Sequence, residues 1–427
     1  MSAPSDTTRS VVTRRNSSLD GEMNRGLNGA LDGIRVIDLS SLFVGPICSM
    51  MLAELGADVI KVERPVGDIT RHLLPQGHPL MGPLFLAVNS GKRSVVLDLA
   101  DERGRDALHR LIAGADVLIH NALPATAAKL GIDLETVRAI SSDIVYCTIT
   151  GYGDGGPYSG KPAYDDVIQA EVGLADLQGA GRGEPEYVRS IIADKISGML
   201  GGYAVLAGIL RRYRSREPVE VTVPMFEIMS SFVLIEHLFD GTYGDAAPTG
   251  YSRVLSPHRK PYRAADGYVA IVPYNDRDWQ RLFTIVGRED LLEDERFSSA
   301  AARVANVDQL YALLDEAAPS KTIAEWVRVL EEAGIPVAPV RDLAGLLADP
   351  HLNAVGLFES IDHPTAGPIR RVRRGVGLGS AAPDELRLPP ALGEHTLEVL
   401  QEAGFSEEEI NELTDVRKTP VREPTAL

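Results

Sequence analysis

Cysteine is nearly absent from this chain of 427 residues: Cys48 and Cys147 are the only two, far apart and each in an apolar setting. That excludes a disulfide framework or a cysteine-built metal site and points to buried thiols in a reducing compartment. The nine histidines fall in no HxH or HExxH spacing, so no pattern asks for a metal. Basic residues are also scarce: 43 against 60 acidic give a net charge of −17. Such a balance argues against a nucleic-acid surface, and leaves an anionic small molecule only where a local basic patch overrides the global field. No apolar run free of glycine and charge approaches the roughly 20 residues that span a membrane. Ile196–Leu210 comes nearest, and arginines follow it at once. The first strand-to-helix turn, Ser40-Ser41-Leu42-Phe43-Val44-Gly45, lacks GxGxxG, which disfavours a plain dinucleotide site. Gly160-Lys161 runs into Pro162 and is no phosphate-binding P-loop.

What is present belongs to an ordinary globular protein, with 44% hydrophobic and 24% charged residues over a length that suggests more than one domain. Residues 1–28 are polar, rich in Ser, Thr and Arg, and have no hydrophobic centre, so a disordered tail is expected rather than a secretory signal. Asp20 and Glu22 weigh against a mitochondrial presequence despite Arg9, Arg14 and Arg15. A cytoplasmic location is expected, with the mitochondrion as the alternative.

From Leu31 on, strands and helices alternate. Ile34–Leu39 reads as a strand, Gly45-Pro46 opens a helix, and Asp58–Glu63 is a second strand. Further strands are expected at Val95–Asp98, Asp116–His120, Ile144–Ile149 and Val219–Val223, with helices between them. This is the order of a doubly wound α/β fold with a parallel sheet, which binds ligands at the carboxyl ends of its strands. Arg64, Lys92, Arg93 and Asn121 are expected there. Residues 225–334 read as a smaller α+β domain inserted into a large one made of 29–224 and 335–427. It holds a turn at Ala265-Asp266-Gly267 and helices at Asp278–Val286, Asn306–Ala317 and Thr322–Ala333. The last carries a capping box, Thr322 with Glu325, and stops at Gly334. A strand at Arg370–Val376 and a helix at Thr396–Ala403 are expected to follow, and no fixed-period repeat is visible.

The chain is organised around Tyr187–Arg212. Asp194 precedes a long apolar helix punctuated by Gly198, Gly201, Gly202 and Gly208 and closed by Arg211, Arg212 and Arg214. Small residues let other backbone approach such a helix, and an aspartate at its positive end stays ionised. Two readings stand side by side: Asp194 as an N-cap, and Asp194 as a carboxylate kept for covalent work.

Six stretches in this order resemble the class III coenzyme A transferases, of the formyl-CoA transferase and carnitine CoA-transferase type. They are LDGIRVIDLSSLFVGP, LGADVIKVERPVGDITR, NSGKRSVVLDL, GYGDGGPYSGKPAYDDVIQA, IIADKISGMLGGYAVLAGIL and PALGEHTLEVL, and they span most of the chain. The resemblance implies that Asp194 is the nucleophile, passing through a mixed anhydride and an aspartyl-CoA thioester. It implies CoA contacts at Arg64, Lys92, Arg93, Asn121 and Tyr164, and an interlocked homodimer. No permanently bound cofactor is implied, since the coenzyme A thioester is itself a substrate beside a small carboxylic acid. Phe43 stands where formyl-CoA transferase has an acyl-orienting glutamine. Asn121-Ala122-Leu123-Pro124-Ala125 lacks the arginine of the family's Asn-Phe-Arg-Pro-Gly, and no glycine-rich flap is present. Formyl-CoA and oxalate are therefore poor substrate choices, and a donor such as succinyl-CoA is expected. Arg253, His258 and Arg259 are candidates for pairing with a second carboxylate of the acceptor. Two alternatives share the fold. Racemases for 2-methylacyl-CoA carry a histidine where Tyr164 stands, and a phenol is a poor base at neutral pH. A non-catalytic CoA-binding protein would have no use for Asp194 in this setting.

Overall fold

The computed structural model describes residues 29–73, 78–180, 183–244, 247–373, 376 and 386–414. The expected tail at 1–28 lies outside them. The chain divides into two compact units: one built from the chain through Ala163, Asp194–Met225 and the chain from Ser360, the other from Tyr164–Ala193 and Phe226–Glu359. Beside the 225–334 domain of the sequence reading, the second unit also takes in the segment before the long helix and the chain on to Glu359.

The first unit is a parallel sheet. Strand β1 is Arg35–Asp38, followed by helix α1, Val44–Ala53, and strand β2, Asp58–Glu63. After the short helix α2, Pro83–Val88, come β3, Lys92–Val96, helix α3, Glu102–Ala113, and β4, Val117–His120. Helices α4, Pro124–Leu130, and α5, Leu134–Ile140, lead to β5, Val145–Thr150. Helices α6, Asp165–Glu171, and α7, Leu174–Gly179, belong to the second unit; in chain order the long α8, Ile192–Ser215, and β6, Val219–Pro224, follow them. The order across the sheet is β3-β2-β1-β4-β5-β6, with every pairing parallel.

Register makes the two faces explicit. Val59, Val36, Val117, Val145 and Val219 are aligned partners across five strands, and one residue on, so are Ile60, Ile37, Leu118 and Tyr146. Side chains alternate along a strand, so these rows face opposite ways. The valine face lies under α8, where Gly208 approaches Val145, Val219 and Val221. The other row packs with Leu108, Leu111 and Ile112 of α3 and Val137 of α5. Two C-terminal helices join that layer through Val399, Leu400 and Ile410. Cover on both faces explains why β4 and β5 are near-continuous buried runs, whereas β6, at the edge of the sheet, alternates buried and exposed residues.

Two boundaries differ from the sequence expectation, and both matter to the site. Strand β3 begins at Lys92 rather than Val95, so Lys92 and Arg93 pair with Val59 and Ile60 at the amino ends of the strands, opposite to where they were expected. Helix α8 begins at Ile192, which places Asp194 inside its first turn and not at its cap.

The second unit begins its later part with α9, Met225–His237, and contains the short α10, Ser252–Leu255. Strands β7, Tyr262–Ala264, and β8, Gly267–Ile271, form the hairpin the turn residues announced. Helices α11, Asp276–Ile285, α12, Ala300–Ala305, α13, Val307–Ala317, and α14, Ile323–Glu332, pack Trp279, Phe283, Tyr311 and Trp326 into one core. The capping box of Thr322 with Glu325 is present, and Gly334 turns at φ 70°. Strand β9, Val337–Pro339, pairs antiparallel with β8.

Candidate active site

Helix α8 is 24 residues long, and Gly198, Gly201 and Gly202 are the points where α1 comes close. A Cβ on Gly198 would lie 2.6 Å from the Val44 carbonyl oxygen and 3.0 Å from the Ile47 side chain. On Gly201 it would meet Cys48 Sγ at 3.4 Å, and on Gly202 the sulfur of Met51 at 3.0 Å. Contacts rise in step along both helices, so α1 and α8 run parallel with their amino ends at the same end. Asp194 stands one turn before Gly198, on the face α8 turns toward α1. It is half-buried, and the partial positive charge of two helix ends converges near it.

Neither end is capped by its own preceding residue. Phe43, at the start of α1, makes no side-chain cap, and the N–H groups of Val44 and Gly45 find no acceptor among the described residues. At α8 the cap comes from elsewhere: Asp165 Oδ1 accepts from the Ala193 N–H at 2.7 Å. Gln169, wholly buried, steadies that carboxylate by donating to Asp165 Oδ2 at 2.6 Å while its own Oε1 accepts from the Val188 N–H. Asp165 thus holds the Ala193 N–H at the start of α8, and Asp194 stands one residue further on, inside the first turn.

Beneath the β1–α1 turn lies a buried set of charges. Asp38 accepts from the Ser40 N–H at 2.9 Å, from the Ser40 and Ser49 hydroxyls at 2.5 Å each, and from Lys92 Nζ at 3.0 Å. Lys61 Nζ donates to the Ser40 carbonyl at 2.8 Å and pairs with Asp68 at 3.0 Å. Burial raises the Asp38 carboxyl, but Lys92, Lys61 and the two serines outweigh it and hold the group well below the usual carboxylate range. On the outer side, the Asn121 amide accepts from Ser41 N–H and donates to Ser41 O, both at 3.1 Å. Leu42, next in line, is forced to φ 66°. The sequence did not single out Asp38, Lys61 or Asp165. The one available signal was a charged residue inside each apolar strand, RVID and DVIKVE.

The sequence-derived candidates take the following places in the two units. Arg64 is exposed at the carboxyl end of β2. Tyr164, just before α6, is 57% exposed, and Phe43 begins α1. Asn121 follows β4 at the expected end, but its amide is taken up by the Ser41 backbone. Arg93 is buried, with its guanidinium on Asp58, Glu398 and Glu402. Those acids take up its donors. Lys92 is fully buried on Asp38, Asn89 and Pro46. In the second unit Arg253 donates to the Tyr311 hydroxyl and His258 pairs with Asp315, while Arg259 is exposed. Cys48 and Cys147 are both buried and unbridged, as expected. The Cys147 thiol lies against Cys48 and, with burial, pushes its pKa up. Among the described residues no helix is long and apolar enough to cross a membrane.

A doubly wound parallel sheet and a glycine-lined helix with an aspartate in its first turn define a recognisable class. The sequence model described as CoA-transferase family III matches residues 31–396, and the chain belongs to that family. It is an enzyme that transfers coenzyme A. It is similar to the succinyl-CoA:glutarate CoA-transferase of Homo sapiens, with 28% identity over 87% of this chain and 85% of that protein. To the succinyl-CoA:mesaconate CoA-transferase of Haloarcula hispanica the identity is 32%, covering 88% of this chain and 97% of that one. The crystal structure of Rv3272 from Mycobacterium tuberculosis superposes with a TM-score of 0.76 at 30% identity, over 87% of this chain and 99% of that chain.

Proposed function

We propose that the chain transfers coenzyme A from succinyl-CoA to a dicarboxylic acid, with Asp194 as the nucleophile. The observation that carries this reading is the position of Asp194, set in the first turn of α8 beside the amino end of α1. A carboxylate is a competent nucleophile only while ionised, and each helix end favours the anion by about 0.3–1 kcal/mol. The relatives named for succinyl-CoA with glutarate or mesaconate support the choice of donor and acceptor class.

In the first step an Asp194 carboxylate oxygen attacks the thioester carbon. The C–O bond forms, the C–S bond breaks, and CoA leaves as thiolate. The thiolate then attacks the aspartyl carbon of the anhydride, releasing succinate and leaving an aspartyl-CoA thioester. The acceptor carboxylate displaces the thiolate, and a second attack by it, now on the acceptor's acyl carbon, restores free Asp194. Anhydride and thioester are close in energy to the reactants, so one difficult transfer becomes several near-level steps. Each passes through an oxyanion, and the uncommitted Val44 and Gly45 N–H groups suit it.

Arg64 is the candidate contact for the CoA moiety, with the Phe43 ring as an apolar wall, and Tyr164 is carried as a further candidate CoA contact. Arg259 is the candidate partner for the second carboxylate of the acceptor. The enzyme acts as a homodimer and keeps no bound cofactor. Incubation with succinyl-CoA, hydroxylamine trapping and peptide mass spectrometry should place the label on Asp194. Turnover by Asp194→Asn at the native rate, or label found only elsewhere, sinks the reading.

A further inference from the structure

Lys92 has the look of a phosphate ligand in the sequence and none of its exposure in the fold. Its ammonium donates to Asn89 Oδ1 at 2.8 Å, to the Pro46 carbonyl at 3.0 Å and to Asp38 Oδ2 at 3.0 Å. An ammonium has three protons, and these three acceptors use them all. The partners belong to three different pieces of chain: the end of β1, the first turn of α1, and the residue that ends α2. Asp38 passes the constraint on to Ser40 and Ser49, and Lys61 holds the Ser40 carbonyl from the next strand. The turn cannot relax toward α1, since a Cβ on Gly45 would lie 2.1 Å from Ser40 Cβ. Buried ion pairs are weak contributors to stability compared with an apolar filling of the same volume. What this pair supplies is fixed distances.

We infer that Lys92 is a positioning residue for the transfer reaction: it seats the first turn of α1 against the first turn of α8, so that the Val44 and Gly45 N–H groups meet the acyl group carried by Asp194. The inference rests on the reading of Asp194 as nucleophile. Burial lowers the Lys92 ammonium to about 8, with Asp38 opposing the shift. The charged or titratable groups around it are Asp38 on β1, Lys61 on β2, Asp68 beyond β2 and Cys48 on α1. Above that pH Lys92 becomes neutral and its hold on Asp38 weakens. Folding does not suffer, because from about 8 up to its ordinary 10.5 the unfolded chain binds the extra proton and stability rises with pH. Cys48, pushed above 9.0, adds a fall only beyond that value.

The test compares Lys92→Met, Lys92→Arg and Ser49→Ala in the full-length enzyme, with succinyl-CoA as donor and glutarate as acceptor. For Lys92→Met, kcat is expected to drop about 30- to 100-fold while KM for succinyl-CoA and Kd for free CoA stay within about twofold. Lys92→Arg restores part of kcat and removes the alkaline fall near pH 8, and the native enzyme shows that fall with no loss of Tm between pH 8 and 9. Should Lys92→Met not fold, Ser49→Ala, which removes one donor from Asp38, carries the same split with a drop of about 3- to 10-fold. A raised KM and CoA Kd with kcat intact would return Lys92 to the phosphates and overturn the inference. So would an unchanged kcat in Ser49→Ala or Lys92→Met. Failure of the native enzyme to transfer CoA or to label Asp194 is a separate result, and strikes the functional reading itself.

Discussion

Alanine at Gly198 puts a Cβ 2.6 Å from the Val44 carbonyl oxygen and 3.0 Å from Ile47 Cβ and Cγ2. The first of these neighbours is backbone in the opening turn of α1, so no side chain can swing aside. Ordinary contact begins near 3.4 Å, so the two helices must part by about 0.8 Å at this crossing. Overpacking costs about 1–3 kcal/mol, and the better helix propensity of alanine returns about 1 kcal/mol. The net loss of about 0–2 kcal/mol leaves the fold intact. Catalysis is more exposed, because a shift of this size between Asp194 and the Val44 and Gly45 N–H groups lowers kcat by about 30- to 100-fold. Gly201→Ala is the control. Its Cβ meets Cys48 and Val223 at 3.4 and 3.5 Å, ordinary contacts, so it should gain up to about 1 kcal/mol and keep its rate. Urea denaturation and steady-state kinetics on the two variants suffice. If Gly198→Ala matches Gly201→Ala in both, the close approach does not set the geometry of the nucleophile and the reasoning is wrong.

Asp165→Ala leaves the Ala193 N–H without its acceptor and should cost about 1–3 kcal/mol, measured by urea denaturation, with a matching loss of ordered helix start by hydrogen exchange at Ala193. Arg71 is wholly buried and doubly bonded to Glu63, so Arg71→Met should cost about 3–5 kcal/mol, and Arg71→Met with Glu63→Met should recover most of it. Burial raises the Asp38 and Asp68 carboxyls but their lysines outweigh it, leaving both folded-state values below the ordinary 3.8. The unfolded chain then takes up protons first. The contribution of these groups to stability is complete above about pH 4 and is lost as pH falls further, a loss that Lys61→Met should shrink in acid titrations followed by circular dichroism. Arg259→Ala should weaken dicarboxylate acceptors relative to monocarboxylates; an unchanged ratio of kcat/KM values removes Arg259 from the acceptor site.

Most of the sheet was legible because its strands are rich in β-branched residues, and β2, Asp58–Glu63, was marked to the residue. The capping box at Thr322 and the glycine stop at Gly334 are local signals and survived unchanged. Helices α6 and α7 were not, since seven and six residues among Gly and Pro give too little periodicity to separate from loop. The start of β3 was missed for a different reason. Lys92 and Arg93 read as surface residues, and only their partners, Asp38 from β1 and the Asp58–Glu402 cluster, make them fit for the interior.

Local order and family therefore came from the residues themselves: hydrophobic period, turn chemistry and six stretches in sequence. Which charges face water and which are locked together came from tertiary structure, because an ion pair joins residues 54 apart in the chain, as with Lys92 and Asp38. The same holds for Asp194. Its chain neighbours suit a cap as well as a nucleophile, and only the fold shows that it lies inside the first turn of α8, beside the amino end of α1.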